Sequence, residues 1–177
     1  PGNKLRVEPH KSGYTTEHFY GASGGGSTGK WIGQKGNFLE GGVRVPAIIS
    51  YPSKLPKGTV RDQTITAMDW FPTLLALCDV KPNPSSPPLD GHNILPLIKD
   101  KKAKSKHTKL HFSWGSNWAV RSGEWKLIGN KDNPQSLHKL NDEKPEVKNY
   151  AKENPKKVQQ LLTLHRAWAK EVLPKKK

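Results

Sequence analysis

Residues 154–174 constrain the fold more than any other stretch, because they define a helix that cannot stand alone. Asn154 is placed to cap its start, Pro155 to take the first turn and Pro174 to follow its end. Between them Val158, Leu161, Leu162, His165, Trp168, Ala169 and Val172 recur on one stripe. A stripe of that width needs an apolar surface to lie on, and the preceding residues offer one. The runs 109–114, 118–122 and 125–128 read as strands, with Ser122-Gly123 as a tight turn between the last two, and 136–140 as a candidate fourth. Residues from about 108 to 172 are therefore expected to form a small antiparallel sheet with a helix laid across it, an α+β unit able to bury a core of its own.

The residues ahead of that unit are less self-sufficient. The run 43–51 (VRVPAIISY) is the most strand-like in the chain. Val45, Ala47, Ile48 and Ile49 are nearly continuous, as in a strand buried on both faces, and Pro46 places it at an edge or a strand start. The run 66–78 reads as a helix, with Ala67, Trp70, Phe71, Leu74, Leu75 and Cys78 at helical spacing. Asp69 is placed to accept hydrogen bonds from free amides at its start, with Pro72 in the first turn. A Pro-rich connector, 79–88, leads to Leu89-Asp90-Gly91. One strand and one helix are too little for an independent α/β core, so the chain divides into 1–107 and 108–177.

Charge and cysteine usage narrow the function classes. Lys and Arg number 30 against 15 Asp and Glu, a net charge of +15. That field attracts polyanions or simply keeps the surface solvated. Much of the excess sits in 99–109 and 175–177, a loop and a tail. No nucleic-acid-binding motif accompanies it, so nucleic acid is not an expected partner. No apolar run is long enough to span a bilayer. Cys78 is the only cysteine, which excludes an intrachain disulfide or a cysteine zinc site and leaves it as a small buried hydrophobe. The glycine run 21–29 reads as a loop, without the Gly-Lys-Ser/Thr ending of a nucleotide loop.

The seven histidines form no His-Glu-x-x-His cluster, so no zinc site is expected. His165 falls on the apolar stripe as a packed core histidine, and His111 alternates within a strand. His10 and His18 are candidates for a substrate cleft. Trp114 and Trp118, which flank a turn, are the candidates for stacking on a glycan.

The segment with most chemistry is Gly33-Gln34-Lys35-Gly36, followed by Glu40-Gly41-Gly42-Val43-Arg44-Val45-Pro46. A lysine ammonium is a point charge with three donors, and flanking glycines let the backbone approach an anionic ligand closely. Glu40 and Arg44 read either as an acid and a charge clamp or as a structural ion pair. The ion pair is preferred, and the intervening glycines argue against helical pairing.

This segment resembles the second signature of the sulfatase family, and four later segments resemble that family in order. They are Asp69-Trp70-Phe71-Pro72-Thr73-Leu74-Leu75, Leu89-Asp90-Gly91, the hairpin Ala119-Val120-Arg121-Ser122-Gly123-Glu124-Trp125-Lys126-Leu127-Ile128 and the closing stretch from Leu137 to Asn149. Ile32 departs from the family's usual Arg, and His138 from its usual Tyr. The resemblance implies an α/β, alkaline-phosphatase-like fold for the parent protein, of which 1–107 would be the end of the catalytic domain. It implies hydrolysis of a sulfate ester by a formylglycine beside a calcium ion, with Lys35 as the catalytic, substrate-binding residue on the sulfate. It also implies a periplasmic or extracellular location.

The family's Cys/Ser-x-Pro-x-Arg motif and calcium carboxylates are absent here, and Cys78 in Ala76-Leu77-Cys78-Asp79-Val80 does not supply that motif. No cofactor or metal site is expected within this chain. Starting at Pro1-Gly2-Asn3 without Met, it reads as an excised piece, inactive alone. The expected substrate is a sulfate ester, which the basic balance makes a sulfated polysaccharide. Exposed edges of the 43–51 strand are expected to favour self-association. A phosphodiesterase or phosphonate hydrolase of the same superfamily, and a non-catalytic polyanion-binding module, are the alternative readings.

Overall fold

The computed structural model describes residues 28–172. His10, His18, most of the glycine run and the tail at Lys175–Lys177 lie outside the described residues.

The expected α+β unit is present. Strands β1 (Lys109–Trp114), β2 (Asn117–Ser122), β3 (Trp125–Asn130) and β4 (Asn133–Lys139) form an antiparallel meander in the order β1-β2-β3-β4. Two-residue loops join them, because Trp114 pairs with Asn117, Ser122 with Trp125 and Asn130 with Asn133. Gly115, Gly123 and Lys131 open these loops with φ of 58°, 58° and 50°. A positive φ at the first loop position matches the twist of the flanking strands.

Register sorts the sheet into two faces. His111, Val120, Leu127 and Leu137 form one cross-strand row. The long helix α4 (Pro155–Val172) covers that face, and Trp118, Val120, Leu127, Leu137, Leu161 and Leu162 make one buried cluster. His165 is buried there, as expected, and stacks on Trp118 with ring centroids 4.1 Å apart. His111 stacks on Trp168 at 4.9 Å, and neither of its ring nitrogens has a hydrogen-bond partner. Trp118 is therefore a core residue and not a glycan platform; its indole N–H donates to the Lys131 carbonyl at 2.6 Å.

The opposite face carries the row Leu110, Arg121, Lys126 and His138. It is covered by residues 32–44, which end in the single helical turn α1 (Glu40–Val43). Beyond it, a 3-10 turn (Ala67–Asp69) leads into α2 (Trp70–Leu77), and α3 (Leu95–Lys99) follows the connector.

Three expectations fail in this first part. Residues 44–50 form no strand, and Val45 and Ile48 are 78% and 92% exposed. A strand exists only through its ladder partners, and none of the described residues pairs with this run. The expected strand edge is accordingly not formed. The apolar stripe of α2 is not its buried face: Thr73 and Leu77 are buried, while Phe71, Leu74 and Cys78 are exposed. The buried face is set by a polar anchor, since the Ile94 amide donates to Thr73 Oγ1 at 3.0 Å. Cys78, on the other side of α2, is consequently not a buried hydrophobe.

Packing of His111 and His165 between the sheet and α4, and of His138 on the opposite face, makes stability depend on pH. Burial holds His111, His138 and His165 below the ordinary imidazole range, and the neighbouring His165 and Lys109 help push His111 down to about 4. The unfolded chain then binds more protons than the folded one between about pH 6.5 and 4, so stability falls as pH falls through that window. His111 keeps part of its ring near water, so its share is about 1–2 kcal/mol at the acid end. Thermal melts from about pH 7.5 to 4.5 should show a shallower decline for His111→Phe than for the wild type; parallel declines would contradict this origin.

Candidate active-site loop and its buried anchor

Lys35 lies on an exposed turn of the loop that covers the polar face of the sheet, and no side chain among the described residues pairs with it. The glycines on either side have backbone roles. Gly33 and Gly36 have φ of 99° and 97°, conformations that L side chains rarely adopt. Asn37 closes the loop, its amide donating to the Gln34 carbonyl at 3.2 Å and its Oδ1 accepting from the Leu39 amide at 3.2 Å.

The Glu-Gly-Gly that follows seats α1 inside this loop. The Gly41 amide donates to the Ile32 carbonyl at 2.8 Å, and a Cβ on Gly42 would lie 2.5 Å from the Gln34 carbonyl oxygen. Only glycine permits so close an approach. The two halves of the segment are thus one folded object, with the lysine at its surface and Glu40 at its root.

Glu40 is 2% exposed and its carboxylate gathers three cations. Lys126 Nζ lies 2.9 Å from one oxygen; Arg44 and Arg121 lie 3.0 and 3.5 Å from the other. Lys126, itself fully buried, also reaches Glu146 at 3.1 Å, and Glu146 accepts the Glu40 amide at 2.7 Å. Burial pushes the Glu40 carboxyl up, but Lys126, Arg121 and Arg44 together outweigh it and hold it below the usual carboxylate range. Glu146 adopts φ of 64°, a conformation costing about 1–2 kcal/mol for an L residue, which the surrounding cluster must offset.

The preferred reading of Glu40 and Arg44 as a structural pair agrees with this geometry. The expectation about their spacing does not: α1 is a helical turn, so the two pair at i and i+4. Glycines lower helix propensity, but a single turn held by Glu40's buried contacts tolerates them. Lys126, Arg121 and Glu146 were not singled out from sequence. A signal existed, because a lysine in the middle of an otherwise apolar strand is rarely fully buried unless it is paired. This cluster crosses the division at 107/108, joining the lysine loop to β2, β3 and the closing stretch.

The Asp69 and Gly91 segments form a second anchor. The Asp69 carboxylate is buried and accepts from the amides of Thr66 and His92, each at 2.7 Å, and from His107 Nε2 at 2.8 Å. It therefore caps the 3-10 turn and the Gly91 turn rather than α2, whose start has no side-chain cap. A Cβ on Gly91 would lie 2.0 Å from the Met68 carbonyl oxygen, which accounts for the glycine. Burial raises the Asp69 carboxyl, and these hydrogen bonds lower it further than burial lifts it.

Trp114 is 65% exposed at the end of β1 and faces the lysine loop; Phe112, on the same side of that strand, packs against Phe38. Among the described residues no three His, Cys, Asp or Glu side chains converge as a metal site would require, and exposed Cys78 lacks the modification motif. These residues do not fit the calcium ion or the formylglycine.

Known proteins resemble this chain in sequence and in fold. The family model described as N-sulphoglucosamine sulphohydrolase, C-terminal, matches residues 30–169. Mouse steryl-sulfatase is 37% identical over 109 residues, covering 59% of this chain and 17% of its own length. Pig N-acetylgalactosamine-6-sulfatase is 42% identical over 74 residues, covering 42% of this chain and 14% of its own. The chain thus spans about a sixth of the length of these relatives. The crystal structure of Ps i-CgsB in complex with k-i-k-neocarrahexaose superposes with a TM-score of 0.64 at 23% identity, over 78% of this chain and 32% of that one. That likeness is one of fold.

Proposed function

The chain belongs to the sulfatase family as a C-terminal portion of it, and from that membership we propose that the enzyme carrying it hydrolyses sulfate esters, with Lys35 holding a sulfate oxygen. The observation that carries the reading is the loop itself. A cation with no side-chain partner among the described residues stands on a glycine-flanked turn, and the root of that turn is fixed by a buried ion cluster. Fixed donors aimed at oxygens that gain charge during attack at sulfur are most effective when nothing must reorganise. Lys35 is such a donor, and the Glu40 cluster supplies the rigidity.

The nucleophile and the calcium ion of the family have no holder among these residues, so the chain alone is expected to leave sulfate esters intact. A sulfated saccharide is the substrate class favoured, because the matched family and the N-acetylgalactosamine-6-sulfatase relative are named for sulfated amino sugars. The net charge of +15 supports an anionic substrate too. No helix among the described residues is long and apolar enough to cross a membrane, and family membership supports a periplasmic or extracellular site of action. The test is an assay of the full-length enzyme against sulfated saccharides and the matching phosphate monoesters. Release of sulfate but not phosphate is expected; the reverse preference would replace this reading by the phosphoesterase one.

A further inference from the structure

We propose that Trp114 is a stacking platform for the saccharide ring that bears the sulfate ester. The inference rests on the reading of Lys35 as the sulfate ligand and adds the residue that recognises the rest of the substrate.

Three observations converge on it. Trp114 leaves 65% of its surface in water although every other tryptophan of the sheet is more enclosed. Its strand parity puts it on the face covered by the lysine loop, two residues beyond Phe112, whose ring lies 6.1 Å from that of Phe38. A Cβ placed on Gly36 would sit 3.9 Å from Trp114 Cζ3, so the indole borders the residue bonded directly to Lys35. Consecutive Cα atoms are only about 3.8 Å apart. The indole and the exposed turn that carries Lys35 therefore border one surface patch.

That pairing matches a sulfated pyranose. The sulfate is an anion for Lys35, and the C–H face of the ring is an apolar plane for an indole. A sulfate ester without a ring would use the cation and leave the indole idle. Gly36 contributes no side chain between the two groups.

The experiment uses the full-length enzyme and its Trp114→Ala, Trp114→Phe and Lys35→Ala variants. The probes are a panel of sulfated galactosides, glucosaminides and uronides as substrates, and inorganic sulfate as a competitive inhibitor. Trp114→Ala should raise KM for the saccharide turned over by about five- to tenfold, and Trp114→Phe should recover part of it. The inhibition constant of inorganic sulfate, which has no ring, should not change in either Trp114 variant. Lys35→Ala should weaken sulfate inhibition. An unchanged saccharide KM in Trp114→Ala beside a weakened sulfate site in Lys35→Ala would overturn the proposal and leave the Lys35 reading standing. Unchanged sulfate inhibition in Lys35→Ala would instead remove the reading beneath it. An enzyme that turns over only ring-free sulfate esters would also overturn the proposal, and so would equal losses of saccharide and inorganic sulfate affinity in Trp114→Ala, which would mark a structural role.

Discussion

Replacing Lys126 by Met destabilises the full-length protein by about 3–5 kcal/mol, the usual cost of removing one partner from a buried ion cluster. Lys126 is fully buried and is the only described cation within reach of both Glu40 and Glu146, at 2.9 and 3.1 Å. Methionine fills much of the same volume, so the loss is electrostatic rather than a cavity. Two buried carboxylates are left, with Arg44 and Arg121 reaching only Glu40. Adding Glu146→Gln should restore part of the stability, because the remaining carboxylate keeps its arginines. Denaturant unfolding followed by circular dichroism measures both changes. A loss below about 1 kcal/mol for Lys126→Met would mean that the cluster is wet and screened, and the lysine loop would then lack the fixed root assigned to it.

The same cluster shows what the sequence could and could not convey. The four strands and α4 were legible because each carries its own periodicity and turn chemistry: Gly115 and Gly123 stand where φ must be positive, and Leu161, Leu162 and His165 lie on the stripe that the sheet buries. The lysine loop was legible as a motif. Its attachment was not, because Glu40 meets Lys126 across 86 residues and no local pattern encodes such a contact. Residues 43–51 misled for a related reason. Apolar composition shows that a segment needs covering, but pairing depends on a partner, and Val45 and Ile48 have none among the described residues. In α2, hydrogen bonds accepted by Thr73 and Asp69 from the Ile94 and His92 amides outweighed the apolar stripe in choosing which side faces the protein.

Several matched segments thereby acquire physical roles. Asp69, Thr73 and Gly91 fasten the connector, and Arg121, Lys126 and Glu146 fasten the lysine loop. Of the charged residues in the lysine loop, Lys35, Glu40 and Arg44, Lys35 is the one that no other described side chain pairs with, while its surroundings are held. A purely structural account of the loop would have no use for it.

The most direct measurement is therefore the turnover of sulfate esters by full-length Lys35→Ala. Losing one fixed donor at a developing charge should lower kcat about 100- to 1000-fold. The exposed position of Lys35 means that stability should change by less than about 0.5 kcal/mol. Turnover unchanged in a normally folded variant would contradict the assignment of Lys35, and with it the function proposed for this loop.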